Sequence, residues 1–485
     1  MIGRLCGRLG TALLLGGAVL AGAATLSGAR ADVTISPGAT QNMNCTGSVC
    51  TPTATNAVLN AGDLETLLAS GSITVTTTGP GVQAQNIDVA APLTWSSVNG
   101  LALDAYDSIA FASAVTVSGA GGLSLATNDG GSGGNLWFGL DGSVTFANLS
   151  SALTIDAKPY VLVGGIAALA SAIQDNPSGS YALAADYDAA GDGTYKASPI
   201  PTSLTGMVQG LGNTISDLSV DVPKGSKATG YGLFSEVGQA GTIASLKMTG
   251  YNMAVHVHPN RKDKLGYGAG GMVGVSVGTL FDDHVDGSLW TIEGGGGLVG
   301  LIGSGTGSIT GSSSSASVSG PGGGGGLVWW LFDGQVSASY ATGAVTGGAK
   351  SRSGGLVALN DGGIYNSYAT GAVKGGANSV VGGLLSTDNS TGYSYAVGKV
   401  SGGAGSLVGG FVGDEDGSGD GYCYWDTTTG RTNEGTGNEG NVSGITALTT
   451  RQLKSGLPDG FDPTVWTESA NVNSGLPYLI ANPPE

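Results

Sequence analysis

Charge is scarce in this sequence and basic charge scarcer still. Only 11% of the 485 residues are Asp, Glu, Lys or Arg, and 18 Lys and Arg stand against 35 Asp and Glu, a formal charge of −17. An acidic surface of this kind excludes nucleic acid as a partner. The scarcity of charge does not mean disorder, because 40% of residues are hydrophobic. Glycine is abundant, at 91 residues, but follows no strict triplet, which excludes collagen. There is no P-loop, and no segment beyond the N-terminal region is apolar enough to cross a bilayer as a helix. Long glycine-free stretches of helical period are missing as well, so helical repeats are excluded.

What the chain has instead is a repeat. A glycine followed by an apolar anchor recurs at Gly271-Met272, Gly297-Leu298, Gly326-Leu327, Gly355-Leu356, Gly383-Leu384 and Gly410-Phe411, at spacings of 26, 29, 29, 28 and 27 residues. Tyr340, Tyr368 and Tyr395 each lie sixteen residues before the next anchor, and Val345, Val373 and Val400 each lie eleven before it. A period of this length marks a unit that cannot bury its apolar face alone and must stack on its neighbours. Short β-branched and aromatic runs such as SYATGAV, broken by glycine corners, predict a single-stranded parallel β-helix of about 26–29 residues per coil, capped at both ends. Stacked coils would place the three tyrosines in an aromatic ladder. The Gly-His and Trp-Asp signature of propeller blades is absent.

In chain order, residues 1–31 read as a signal peptide: Arg4 and Arg8, an apolar stretch from Thr11 to Leu26, and Ala29-Arg30-Ala31 as a cleavage site. Its removal takes three arginines, leaving 15 basic and 35 acidic residues and a charge of −20. Residues 32–62 read as an N-terminal cap or linker and 63–165 as β-helix coils, with Asp63 capping a short helix at Leu64 to Ala69. Residues 166–229 form a transition segment with a short helix, 230–427 the repeat coils, and 428–485 a capping segment. Cys45 and Cys50, five apart, are placed to close a small disulfide in an oxidising compartment, and Cys423 reads as a small buried residue.

The phrases GGLVALNDGGIYNSYATGAVKGG and GLFSEVGQAGTIASLKM resemble the GLUG motif of large surface proteins of the filamentous haemagglutinin type. LETLLASGSITVTTTG and GSVTFANLSSALTIDA resemble the body of such proteins, and the tail from YCYWDTTTG to LPYL resembles the segment that closes GLUG arrays. The resemblance covers nearly the whole mature chain. It implies a secreted or surface-displayed β-helix acting as an adhesin or structural stalk on surface glycans or proteins of a neighbouring or host cell, with a separate outer-membrane export partner. A polysaccharide-binding or polysaccharide-cleaving β-helix is the alternative.

Candidate chemistry is sparse, and each candidate has a plainer account. Gly274 to Gly278 matches G-x-S-x-G, yet Ser276 falls where Asn360 lies in a later repeat and no helix follows. His256, His258 and His284 could together hold a metal, with His258 and His284 as stacked neighbours, but the first two adjoin an irregular charged stretch. The paired carboxylates Asp282 and Asp283 lack the basic partners of a pectinase. Asp414, Glu415, Asp416 and Asp420 lie in a glycine-rich turn that matches no calcium loop, and Asp186, Asp188 and Asp192 read as a solvated turn. Of Trp329 and Trp330, alternation places one indole in the core and one in solvent, where it could stack on a sugar. The expectation is therefore a non-enzyme with no catalytic residue, metal or cofactor.

Overall fold

In a computed structural model the described residues are 32–258, 267–303, 305–415, 421–430, 432–440 and 442–484. The signal-peptide expectation, Asp416 and Asp420 fall outside them. The fold is an all-β parallel β-helix built in two arms, each with its own apolar core. In the first arm, Val33–Ser36, Ile87–Val89, Ile109–Phe111 and Leu136–Phe138 stack as parallel neighbours. Two further faces are built the same way, and helix Ala61–Ser70 packs where the first strand of the third face would stand. The helix is capped by Asn60, whose side chain accepts from Asp63 N, so Asp63 sits in the first turn instead of at the cap. Strand pairing already includes Val33–Ser36, so residues 32–62 belong to the coils and are not a linker. Cys45 and Cys50 are bonded across the antiparallel hairpin Met43–Thr46 and Val49–Pro52.

The chain reverses at an antiparallel pair, Leu153–Ile155 with Lys158–Val163, inside one fifteen-stranded sheet shared by both arms. Helix Ile166–Asp175 then opens the second core with Ile166, Leu169 and Ile173. Met207–Gln209 pairs in register with Thr242–Ala244, so the transition segment is itself coil. From Phe234–Val237 to Val412–Glu415, seven parallel strands carry one face of the second arm. Along this face each anchor nitrogen donates to the next anchor's carbonyl: Met272 to Leu298 (3.1 Å), Leu298 to Leu327 (2.9 Å), Leu327 to Leu356 (2.8 Å), Leu356 to Leu384 (2.8 Å) and Leu384 to Phe411 (2.9 Å). All six anchors are fully buried. Ile445–Leu448 continues the ladder past Cys423–Asp426 and closes the end.

The register explains the repeat residue by residue. One inward row runs Val285, Ser314, Ala341, Ala369, Ala396 and Trp425, and the outward row beside it runs His284, Ser313, Tyr340, Tyr368, Tyr395 and Tyr424. The tyrosines do stack, at 4.9 and 5.0 Å between ring centres, but outside the solenoid core. They are buried because the C-terminal tail runs back along the flank: Trp466 packs on Tyr368 and Tyr395, Phe461 on Trp466, and Asn482 donates to the carbonyls of Ser312 and Ala338. The capping segment is thus a cap up to Leu448 followed by a strap over the aromatic row.

The glycine before each anchor is a steric requirement. A methyl group at Gly355 would lie 2.0 Å from the carbonyl oxygen of Gly383 on the next coil, where backbone cannot yield without breaking the ladder. Gly355→Ala is expected to cost about 2 kcal/mol or more, as overpacking of a rigid contact does. Denaturant unfolding of both proteins measures it, and an unchanged midpoint would contradict the register.

Candidate functional site

Most sequence candidates turn out to be parts of ladders. The residue before each member of that outward row forms a buried row, Asp283, Ser312, Ser339, Ser367, Ser394 and Cys423. Each serine hydroxyl accepts from the preceding coil and donates to the carbonyl two residues back: Ser339 Oγ takes Ser312 N at 3.2 Å and reaches Ser337 O at 2.7 Å. Ser367 and Ser394 repeat this pattern. Cys423 is the thiol version, with Sγ 3.6 Å from Gly421 O. Sequence reading missed this row, although the signal was present as Ser-Tyr in three successive repeats. Just before it runs a corner of left-handed residues, Ser245, Asp282, Gly311, Ala338, Asn366, Tyr393 and Tyr422. The strain is repeated because each coil must follow the one beneath.

Asp282 and Asp283 therefore separate in role. Asp283 Oδ1 accepts from Leu246 N at 3.0 Å, the task a serine performs elsewhere, and burial drives its carboxyl well above the usual carboxylate range, reinforced by Asp282. Asp282 turns the corner and points outward, accepting from Phe138 N and lying 3.4 Å from His284 Nε2. The three histidines are not brought together. His256 pairs with Asp221 at 3.2 Å and packs on Trp290, His258 pairs with Glu293 at 2.9 Å, and His284 is bonded to Ser313 Nδ1-to-Oγ at 2.8 Å. The expected stacking of His258 on His284 fails because register aligns His284 with Lys247. Ser276 is buried and closes its own turn through Gly278, as Asn360 does through Gly362. Asp186 and Asp188 accept backbone amides, and Asp192 holds the hydroxyls of Tyr187 and Tyr195.

Two concave sites stand out among the described residues. The first is a lateral groove of about 350 Å³ on the second arm, lined by Trp330, Arg352, Asp361, Thr387 and Asp414. Trp329 and Trp330 are both half-buried, contrary to strict alternation, because both ends of the short strand Val328–Leu331 turn inward. Trp330 lies edge-on to Phe332, and its indole nitrogen donates to Asp361 at 2.8 Å. Glu415 is buried beside Asp388, and Asp414 lines the groove. The second site is a cleft of about 480 Å³ between the arms.

No protein-family profile matches the chain, and no curated protein matches its sequence. Among solved structures it is similar to that of a candidate immunoglobulin A1 protease from Bacteroides ovatus, at 16% identity and a TM-score of 0.41, covering 66% of this chain and 92% of that one.

The raised Asp283 carboxyl has a defined pH sign. A group whose pKa rises on folding favours the fold while protonated, and that contribution is lost as pH climbs through the folded value. Asp283→Ser, which restores the row's usual residue, is expected to raise stability at pH 8 by about 1–3 kcal/mol, the gain vanishing near pH 4. Equal gain at both pH values, or a loss at pH 8, would refute the assignment.

Proposed function

We propose that the chain is a secreted or surface-displayed, haemagglutinin-like β-helix that attaches cells to a surface or matrix, with no catalytic step. The observation that supports this most is the seven-stranded parallel face, which makes the second arm a continuous ladder-built rod. Repeated Leu, Val, Ser and Tyr positions are consumed by stacking, so a rod of this kind presents its rims and grooves and not a repeated reaction centre. Partners would be glycans or proteins of a neighbouring or host cell, reached after signal-peptide cleavage with the help of a separate outer-membrane export protein.

The lateral groove favours a glycan over a protein as the contacted group. A half-exposed indole beside carboxylates, a guanidinium and a threonine hydroxyl offers a sugar ring both a stacking face and hydrogen bonds to its hydroxyls. The cleaving alternative would need two carboxylates flanking a bound sugar; of the groove's three, Asp361 is held by the Trp330 indole and Asp388 is buried and accepts from Asn360 and Thr391.

The test has two parts. Surface protease treatment of intact cells is expected to remove the mature chain, and confinement to the periplasm would overturn the display reading. Beads coated with the mature chain are expected to be retained on a glycan-bearing surface, and Trp330→Ala to weaken retention about threefold to tenfold without changing the unfolding temperature. Retention unaffected by Trp330→Ala would remove the groove from the account.

A further inference from the structure

The cleft between the arms has walls that can be read from the two registers. On the first arm, one outward row runs Thr34, Asp88, Ala110 and Trp137 across four stacked strands. On the second arm it faces the outward row Lys247, His284 and Tyr340, the last of which begins the stretch that the tail covers. Trp137 packs on Phe281 at 4.7 Å and closes the inner end, while Ala481 to Pro483 of the tail close another side. The site therefore needs both arms and the strap to exist.

Its charged groups are unequally committed. Lys247 Nζ is spent on the carbonyls of Gly139 (3.2 Å) and Leu140 (2.9 Å), which tie the arms together. Asp32 accepts from the backbone and side-chain nitrogens of Asn86, both at 3.1 Å, and Asp282 is shared between Phe138 N and His284. Asp88, half-buried in the middle of its row, has no hydrogen-bond donor among the described residues. Around it the walls are aliphatic: Ala90, Ala110, Ala112, Leu140 and Pro483. A carboxylate at the base of an apolar slot is complementary to a positive head on a hydrocarbon stem.

We propose that this cleft binds a primary alkylammonium group, its nitrogen on Asp88 and its methylene stem along Ala90, Ala110 and Ala112. The same chemistry is offered by a free aliphatic amine and by a lysine side chain of a protein. The excess of acidic over basic residues draws either toward the surface. Burial, and then the charge of Asp32, push the Asp88 carboxyl up to about 6, so the site loses its charge within the mildly acidic range. Other groups facing Asp88 are Asp282 and His284 of the opposite wall, with Lys247 held on carbonyls. An arriving cation therefore relieves repulsion among carboxylates as well as pairing with one.

The experiment is titration calorimetry of the mature chain, residues 32–485, with n-butylammonium, with 1,5-diaminopentane and with an acetylated, amidated Gly-Lys-Gly peptide. 1-Butanol and butyrate serve as uncharged and anionic controls. One equivalent of amine is expected to bind at pH 7.5 and to weaken as pH falls below about 6. Asp88→Asn is expected to lower affinity about tenfold or more while unfolding at the same temperature as the parent. Ala110→Phe, which fills the stem's slot and leaves every charge in place, is expected to abolish binding, so the idea stays testable should Asp88→Asn fold poorly. Binding of the small amines alone identifies a free amine as the ligand, and binding of the peptide as well identifies a lysine side chain; both support the site. Failure of all three amines at millimolar concentration, equal binding of 1-butanol, or full binding by both variants would overturn it.

Discussion

Everything in this molecule depends on coils being held about 4.8 Å apart by backbone hydrogen bonds. At that spacing each side chain has its counterpart in the next coil as its nearest neighbour, so a residue is selected by whether it can stack on its own kind. Leucine anchors meet leucine, serine hydroxyls hand hydrogen bonds from coil to coil, and tyrosine rings lie flat on tyrosine. Glycine fills the positions where the next coil's carbonyl leaves no room for a methyl group. The abundance of glycine and scarcity of charge follow from this packing, since like charges one rung apart repel and a buried charge is costly.

The same constraint sorts structural polar groups from available ones. Ser276, Asp283 and Cys423 resemble reactive groups in isolation, but each sits in a row and is engaged by its neighbours. Availability begins where rows lose their neighbour. It does so in the cleft, where the first arm approaches the outward row at Lys247 and His284 but does not seal around Asp88, and at Trp330, whose indole stands between Leu301 and Leu359 and reaches the lateral groove. The tail belongs to the same logic. Outward tyrosines would form an exposed aromatic strip, and Phe461, Trp466 and Leu479 bury it.

Much of the solenoid was legible in the sequence because its period is written in residues that must repeat. The anchors, the tyrosine and valine rulers, the helix at residues 166–175 and the Cys45–Cys50 bond are all local or periodic signals. What the sequence concealed depends on long-range placement. The reversal at Ile155 to Lys158 brings residues such as Asp88 and His284 to one cleft across nearly two hundred positions. The tail's return along the flank joins Trp466 to Tyr368 without any shared pattern. His258 and His284 misled because each lies fourteen residues before its next anchor, whereas the coil between them is longer than the later ones and sets His284 over Lys247.

The central claim is that one stacked row, outward tyrosines included, is completed by the tail. It is tested most directly by amide hydrogen exchange on residues 32–485 and on residues 32–456. The account predicts that removing the tail speeds exchange at Tyr340, Tyr368 and Tyr395 and their flanking amides, while the first arm, up to Ile109–Phe111, keeps its protection. Unchanged exchange across the tyrosine row would contradict it.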